Sequence, residues 1–561
     1  MASQTAQGGF LNGFFHYKER GAKLSDEIIA GLGVCALAVC GMFINMQLIA
    51  NLSVTAYAES SQAQVAANGE IYAQIWFVSM IVAFVGTMAI GLVARLPLVQ
   101  TTSLGLSSVL VSIIGSTSGL TYYNVLVLSF FSAIVYTVLV SVPPIKKFIF
   151  QAIPAPVRKA LPAAAGLLIA YVALQLSGLI TVSGSSISIY GTGAVMESAS
   201  DSVSLSSLIS WSEFSYSTDR YYPTLLINAV AMILAVVVFL VAKRRTRHPF
   251  TWALVCGTVV FLVASILLVC VNWSRLSFSI DSLWARLWIV GAEDAMQFHL
   301  SAVLSSLSIG AIFTEGLDFS AYTEAGGNVV LLAVGCVLTF TVMNLSDALS
   351  TMDAVRASSK SFEEGSKEEQ LALVCNAGMN IVAPIVGASP VSVSAESYAG
   401  AEDRARSGLS SCIAALGFLV SAFVMVLPFF FITVVSYDVN WNMVGHYGFC
   451  LQLLCEVAFS VADMVMVLVG LNMATRSLDL DWKKFSDVSA VLGTVAGTFF
   501  TSNIAVGLAV GTLAYVLAEG SRKGKALAKM GEEPNAIKRL GAPTLVLAVL
   551  SIAVLGFALY L

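Results

Sequence analysis

Charge is what this chain has least of. Only 11% of its 561 residues are Asp, Glu, Lys or Arg, against 57% hydrophobic residues and a mean hydropathy of +0.85. A soluble domain carries roughly 25% charged residues, so the composition excludes a soluble globular protein and predicts a polytopic membrane protein. Net charge is −4 with no basic patch or tail, which gives no footing for nucleic acid. Histidine is scarce: His16, His248, His299 and His446 are dispersed, mostly in loops, and read as solvated. The nine cysteines form no C-x-x-C and no Cys/His cluster. Metal and redox chemistry are therefore not expected, no cofactor is expected, and the cysteines read as small hydrophobes. No nucleophile–base pair and no phosphate loop is present, so an enzyme is not expected. The first 24 residues are polar and lack a cleavable signal pattern.

What is present is a succession of apolar runs separated by short polar breaks. They fall at 27–50, 72–94, 97–115, 122–142, 157–180, 222–242, 249–271, 330–356, 371–388, 394–403, 408–436, 457–474, 487–501 and 503–519, fourteen in all, and a fifteenth closes the chain at 541–560. Two of them, 97–115 and 394–403, are short and rich in Ser, Thr and Gly. The serine-interrupted run 297–313 is placed outside the bilayer. With a cytoplasmic N-terminus, this arrangement puts every lysine on the inside and leaves only Arg220, Arg275 and Arg286 outside, as the positive-inside rule demands. A span at 297–313 would invert everything after it. Trp76, Trp252, Trp273 and Trp482 fall near segment ends, where aromatic belts sit. Two long outside loops, 181–221 and 273–329, read as exterior caps. The two short segments are each third in a half of seven, which suggests a seven-plus-seven inverted repeat.

Residues 334–406 carry the chemistry. Asn344, Asp347 and Thr351 are spaced i, i+3, i+7 and share one face of an apolar helix. Glu396 follows G-A-S-P-V-S-V-S-A, which is not a regular helix throughout. An acid at membrane depth costs about 2.5–3.5 kcal/mol on insertion scales, so it signals a function or a partner. Irregular backbone at that depth is tolerated only in protein or along a cavity, and paired broken segments point to a transporter's midplane site. The competing reading is that Asn344, Asp347 and Glu396 are all interhelical hydrogen-bond glue. Asp353 and Arg356 read as a surface pair, Glu402, Asp403, Arg404 and Arg406 as a solvated turn, and Asp463 as an acid reaching the exterior interface.

Several blocks resemble the nucleobase–cation symporters of the xanthine/uracil permease superfamily, specifically the AzgA-like branch that moves hypoxanthine, guanine or adenine. They are Y-K-E-R-G-A-K-L-S-D-E-I-I-A-G-L (17–32), G-T-M-A-I-G-L-V-A-R-L-P-L (86–98), V-S-V-S-A-E-S-Y-A-G (391–400) with R-x-G-L at Arg406–Leu409, and L-D-W-K-K-F (480–485). The resemblance implies an all-α fold of 14 transmembrane segments in inverted repeats, with a core domain and a gate domain. Applied here, 1–26 is a cytoplasmic N-terminus, and 27–142 with 330–436 forms the core. Residues 157–271 with 457–519 form the gate, 272–329 an extracytoplasmic loop, and 520–561 a basic linker and terminal hydrophobic segment. Residue by residue, the family's tenth-segment Glu matches Glu396. The eighth-segment V-D-x-F-D-T-I-G-T falls on M-N-L-S-D-A-L-S-T, which keeps Asp347 but has Asn344 at the first acid. The third-segment A-P-G-M-G-L-N-A falls on T-T-S-L-G-L-S-S, keeping Gly105 and Leu106, with Thr102-Ser103 at Pro-Gly and Ser107 at the Asn. The late T-Y-S-I-x-E-G becomes T-S-N-I-A-V-G, with Val506 at the acid.

A purine edge offers N–H donors and C=O or N acceptors. Glu396 can accept two N–H bonds and Asn344 can donate and accept at once. Gly105, Leu106, Ser107, Val393 and Ser394 complete the expected shell, with Phe43 and Phe340 as candidate ring walls. Glu396 and Asp347 are the candidate proton-coupling groups. The expected protein is a plasma- or inner-membrane importer of a small nucleobase, coupled to H+ through an elevator-like movement. A homodimer is an open option and no nucleic acid partner is expected. An anion transporter of the sulfate-permease type and an uncoupled facilitator are the alternatives.

Overall fold

The computed structural model describes residues 10–56, 62–176, 180–183, 186–189, 224–271, 307, 309–423, 435–437, 443–446, 450–477, 484–529 and 541–560. Trp273, Trp482, His299, the three outside arginines and most of both long outside loops lie outside these residues, as does most of 297–313.

The chain is mostly helical, as its composition predicts. The first half contains α1 (Phe10–Phe15), α2 (Leu24–Ala56), α3 (Gln62–Ala89, ending in a π turn Ile90–Ala94), β1 (Gln100–Thr102), α4 (Leu104–Ser116), α5 (Tyr122–Ser141), α6 (Pro143–Ala152), α7 (Ala155–Leu176), a β2–β3 hairpin (Ile180–Ser183, Ser186–Ile189), α8 (Thr224–Arg245) and α9 (Pro249–Val271). The second contains α10 (Ala311–Thr314), α11 (Ser320–Glu324), α12 (Val329–Ser359), α13 (Lys367–Ile385), β4 (Val391–Val393), α14 (Glu396–Glu402), α15 (Gly408–Ala422), strands β5 (Val435–Tyr437) and β6 (Met443–His446), α16 (Cys450–Ser477), α17 (Phe485–Thr501), α18 (Ile504–Lys529) and α19 (Ala542–Tyr560). A helix stands at each apolar run read from the sequence. Among the described residues six helices are long and apolar enough to cross a membrane. Two details differ from expectation. Helices α2 and α3 run past the apolar stretches 27–50 and 72–94, and the connection after 142 is itself the helix α6.

Capping explains where several helices start. Thr121 and Asn124 form a reciprocal capping box on α5. Asn328, Ser366 and Ser407 accept backbone N–H groups at the starts of α12, α13 and α15, satisfying donors that a helix leaves unpaired in its first turn.

Packing sorts the helices into two sets. In one, α15 lies against α2 and α3, α5 lies against α12 and α13, and α2 touches α4 and α14. In the other, α7 packs on α16 and α17, α8 and α9 pack on each other and on α16, and α17 pairs with α18. The terminal helix α19 lies on α18 and α6, with the Phe557 ring over Gly335 of α12.

Both short segments enter as strands rather than as helices. Strands β1 and β4 pair antiparallel in the register Gln100↔Val393, Thr101↔Ser392, Thr102↔Val391. The ribbon extends by Ser394 N–H donating to the Val99 carbonyl and Ser103 N–H to the Pro390 carbonyl. Pro390 removes one donor and holds its neighbour extended, and the β-branched valines suit the pleat. A two-stranded ribbon leaves two open edges, and side chains close both. Thr87 Oγ1 accepts Gln100 N–H and donates to the Gln100 carbonyl. Asn380 accepts Val391 N–H at 3.1 Å and donates to the Val391 carbonyl at 2.6 Å.

Candidate substrate site

Side chains alternate across the ribbon, and its two faces have different jobs. On one face the Gln100 carboxamide donates to Asn376 Oδ1 at 2.8 Å, and Asn376 in turn donates to Tyr136 Oη. Val391 and Val393 share this side and are buried in apolar clusters. On the other face lie Ser103, Ser392 and Ser394, turned toward carboxylates.

Ser103 is the node of that face. Its hydroxyl donates to Asp347 Oδ2 at 3.1 Å and accepts the Leu106 N–H at 3.3 Å, while its carbonyl accepts the Ser107 N–H. One serine therefore ends the strand, caps α4 and fixes the acid on α12. Ser392 faces the same carboxylate without completing a hydrogen bond. Ser394 donates to Glu396 Oε2. The other Glu396 oxygen rests against α2, where a Cβ added at Gly41 would stand 3.0 Å from Oε1. The carboxylates of Glu396 and Asp347 are close enough to feel each other's charge.

The structure thus brings Asp347 and Glu396 to one face of the ribbon, Asp347 by Ser103 where β1 leads into α4 and its Ser107, and Glu396 by Ser394 at the end of β4, against α2. Asn344 sits one turn before Asp347 on the same helix. It is buried, and its Oδ1 has no partner. Ser107 is buried too, and its Oγ is equally unpartnered. Buried polar atoms in folded proteins are nearly always hydrogen-bonded, and these two stand on α12, which carries Asp347, and on α4, which begins at Ser103.

The rest of the expected shell divides. Gly105 is half-buried at the start of α4, with only Ser103 Oγ near the position of an added Cβ. Leu106 offers no free polar group, because its N–H is taken by Ser103 and its side chain is in the core. Val393 is a core side chain, but it sits at a non-hydrogen-bonded register position between two bonded pairs, which turns its N–H and C=O outward from the ribbon. Phe340 is packed in the main core and Phe43 stands edge-on to Trp76 at 5.9 Å, so both are structural rings. Ser103, Ser392 and Gly41 were missed by sequence reasoning. Only Ser103 left a trace there, as a helix-capping residue type immediately before the L-G-L-S-S helix start.

Polar residues expected at the surface are half-buried or buried. Asp353 and Arg356 belong to a cluster in which Arg158 bonds Asp353 and Glu364, and Arg356 bonds Asp353 and the fully buried Glu369. Asp403 is 1% exposed and Asp463 4% exposed; neither is a solvated or interfacial acid. His248 is buried and bonded as well. Each was read as exposed because it stands near the end of an apolar run, where the sequence gives no sign of a distant partner. Among the described residues no group of three His, Cys, Asp or Glu side chains could hold a metal ion.

No family model matches the chain. Curated relatives do. It is 23% identical over 515 residues to the guanine/hypoxanthine permease PbuO of Bacillus subtilis, covering 91% of this chain and 94% of that protein. It is 22% identical to the efflux pump notK' of Aspergillus versicolor, covering 91% and 81%, and 19% identical to the adenine permease AdeP of Escherichia coli, covering 91% of each. Among solved structures, the transmembrane domain of a cyanobacterium bicarbonate transporter BicA is similar at a TM-score of 0.42 and 11% identity, covering 87% of this chain and 97% of that one. These relatives are transporters and not enzymes, and the chain is a polytopic membrane protein related over 91% of its length to guanine/hypoxanthine and adenine permeases of the xanthine/uracil permease family.

Proposed function

We propose that this protein imports purine nucleobases of the hypoxanthine, guanine and adenine type by proton symport, and that the set built on α2–α5 and α12–α15 slides as a core against the set built on α7–α9 and α16–α18. The observation that carries the reading is two carboxylates held by serines along one face of the ribbon, with buried, unpartnered polar atoms on the helices next to it. Glu396 accepts purine N–H groups, while Asn344 and Ser107 supply polar atoms that find no hydrogen-bond partner within the protein. Gly105, Val393 and Ser394 line the approach with backbone and hydroxyl groups. Asp347, held by Ser103, orients the site and relays the proton. A site of this kind rejects a base that lacks the matching edge, since its own buried groups would stay unpaired.

Uptake of labelled hypoxanthine, guanine, adenine, xanthine and uracil, with and without a protonophore, tests this. Purine uptake that collapses with the protonophore is expected. Uptake indifferent to it would make the protein an uncoupled facilitator, the reading favoured by Asn344 standing where the resembling family has an acid. Anion flux without nucleobase uptake would replace the proposal altogether.

The Ser103 node gives a second expectation. A hydrogen bond to a charged group is worth about 1.5–3 kcal/mol, so Ser103→Ala should lower purine uptake at least about 10-fold and alter its pH profile. Ser103→Thr keeps the hydroxyl and should retain both. Equal uptake and equal profiles in Ser103→Ala and the wild type would remove Ser103 from the site.

A further inference from the structure

At the end of the molecule that bears α1, the turn between α8 and α9 grips the opposite set of helices. Helix α9 begins with Pro249, which needs no partner, but the next two N–H groups do. Both go to an acid far away in the chain. Phe250 N–H donates to Asp403 Oδ1 at 3.0 Å, and Thr251 donates to Oδ2 through its N–H at 2.7 Å and its hydroxyl at 2.6 Å. Thr251 also presses against α2, since a Cβ at Gly33 would stand 2.3 Å from its Oγ1.

His248 completes the grip. Its Nδ1 lies 2.9 Å from the Asp403 carbonyl and its Nε2 lies 3.4 Å from Asp26 Oδ1. A carbonyl and a carboxylate only accept. A neutral imidazole donates from one nitrogen, so it would turn a lone pair on one of these oxygens; imidazolium donates from both. The charged neighbours are few and named: Asp26 on α2, which also takes Arg247 at 3.1 Å; Asp403 after α14; and, one step out, Arg406, whose N–H is held by Glu27.

We propose that the α8–α9 turn is a clasp, tightened by acid, that holds the two helix sets together at the end bearing the N-terminus and must release for the core to slide. The proposal rests on the core-and-gate reading above. Imidazole changes charge between about pH 5 and 8, and two nitrogens donating to the Asp403 carbonyl and the Asp26 carboxylate satisfy both oxygens where one donating nitrogen satisfies only one. By the inside-lysine bias the clasp faces the cytoplasm, so cytoplasmic acid would slow turnover.

Amide hydrogen exchange on the purified full chain, corrected for the intrinsic effect of pH, tests the clasp without transport. Exchange at Phe250 and Thr251 should speed up as pH rises from about 5.5 to 8 in the wild type. The rise should be flattened in His248→Gln and in Asp26→Asn, whose uncharged amide can turn either its oxygen or its N–H2 to Nε2 and so no longer demands a donor there. Asp403→Ala should raise exchange at these two amides about 5-fold at any pH, the usual effect of losing a helix cap. Identical pH dependence in the wild type and in both flattened variants would overturn the proposal. In proteoliposomes, lowering the pH on the clasp side should slow purine uptake by the wild type more than by His248→Gln, and equal slowing would also overturn it. A wild type that moves no nucleobase would defeat the proposed function, and the exchange experiment would still decide the clasp.

Discussion

Replacing Glu396 with glutamine is expected to lower purine uptake about 100-fold or more while leaving the protein folded in the membrane. The substitution preserves size and one acceptor oxygen. What it removes is the second acceptor and the charge. Oε2 takes the Ser394 hydroxyl and Oε1 rests against Gly41, so a glutamine must turn an N–H2 toward one of them. If it keeps the serine, it presents a donor to a purine N–H, and two donors then meet. Losing one charge-assisted bond is worth about 1.5–3 kcal/mol, and a buried donor left unpaired adds a similar penalty. Stability should suffer little, because Glu396 forms none of the ribbon's ladder bonds and lies outside the apolar clusters. Measuring uptake against surface-corrected expression separates the two effects. Wild-type transport by Glu396→Gln would take the glutamate out of the site and leave the orphaned Asn344 and Ser107 without their partner.

The crossing of α7 and α16 should tolerate no added methyl group. A Cβ on Gly166 would stand 2.4 Å from the Gly470 carbonyl oxygen, and a Cβ on Gly470 would stand 2.1 Å from that of Gly166. Both obstacles are backbone, which no rotamer change relieves. Small residues that let helix backbones touch are the usual way membrane helices pack. Overpacking of ordinary cores costs about 1–3 kcal/mol, and a backbone clash should lie at or above the upper end. Gly166→Ala and Gly470→Ala are each expected to lower the melting temperature and the yield of monodisperse protein, whereas Gly115→Ala, which meets nothing within 4 Å, should be silent. Melting curves in detergent for the three variants would check this. A Gly166→Ala protein as stable as Gly115→Ala would mean that the two helices do not cross at these glycines.

Much of the architecture was legible because the bilayer constrains it. Apolar runs of spanning length must become helices when no water is available to their backbone, and a helix stands at each run. The pairing of the two Ser- and Gly-rich segments could also be anticipated, as could partners within the protein for Asp347 and Glu396, since acids at membrane depth are rare. That the two segments meet as strands could not. Three residues of β1 and three of β4 lie nearly three hundred positions apart, and their register is set by Thr87 and Asn380 closing the edges.

The amino-acid sequence by itself determined that this chain lives in a membrane, where its helices lie, and which two acids sit at its broken centre; hydropathy and the cost of a buried charge are properties of residues and their near neighbours. Only the tertiary structure decided which polar groups are partnered. It packed Leu106 into the core with its N–H bonded to Ser103, and it gave Asp347 the Ser103 hydroxyl. It buried Asp403 and His248 and half-buried Asp353, all of which read as surface residues, because partners come from elsewhere in the chain: the start of α9, Asp26 and Arg158. A hydrogen bond depends on distance in space, and the order of residues along a chain does not contain that distance.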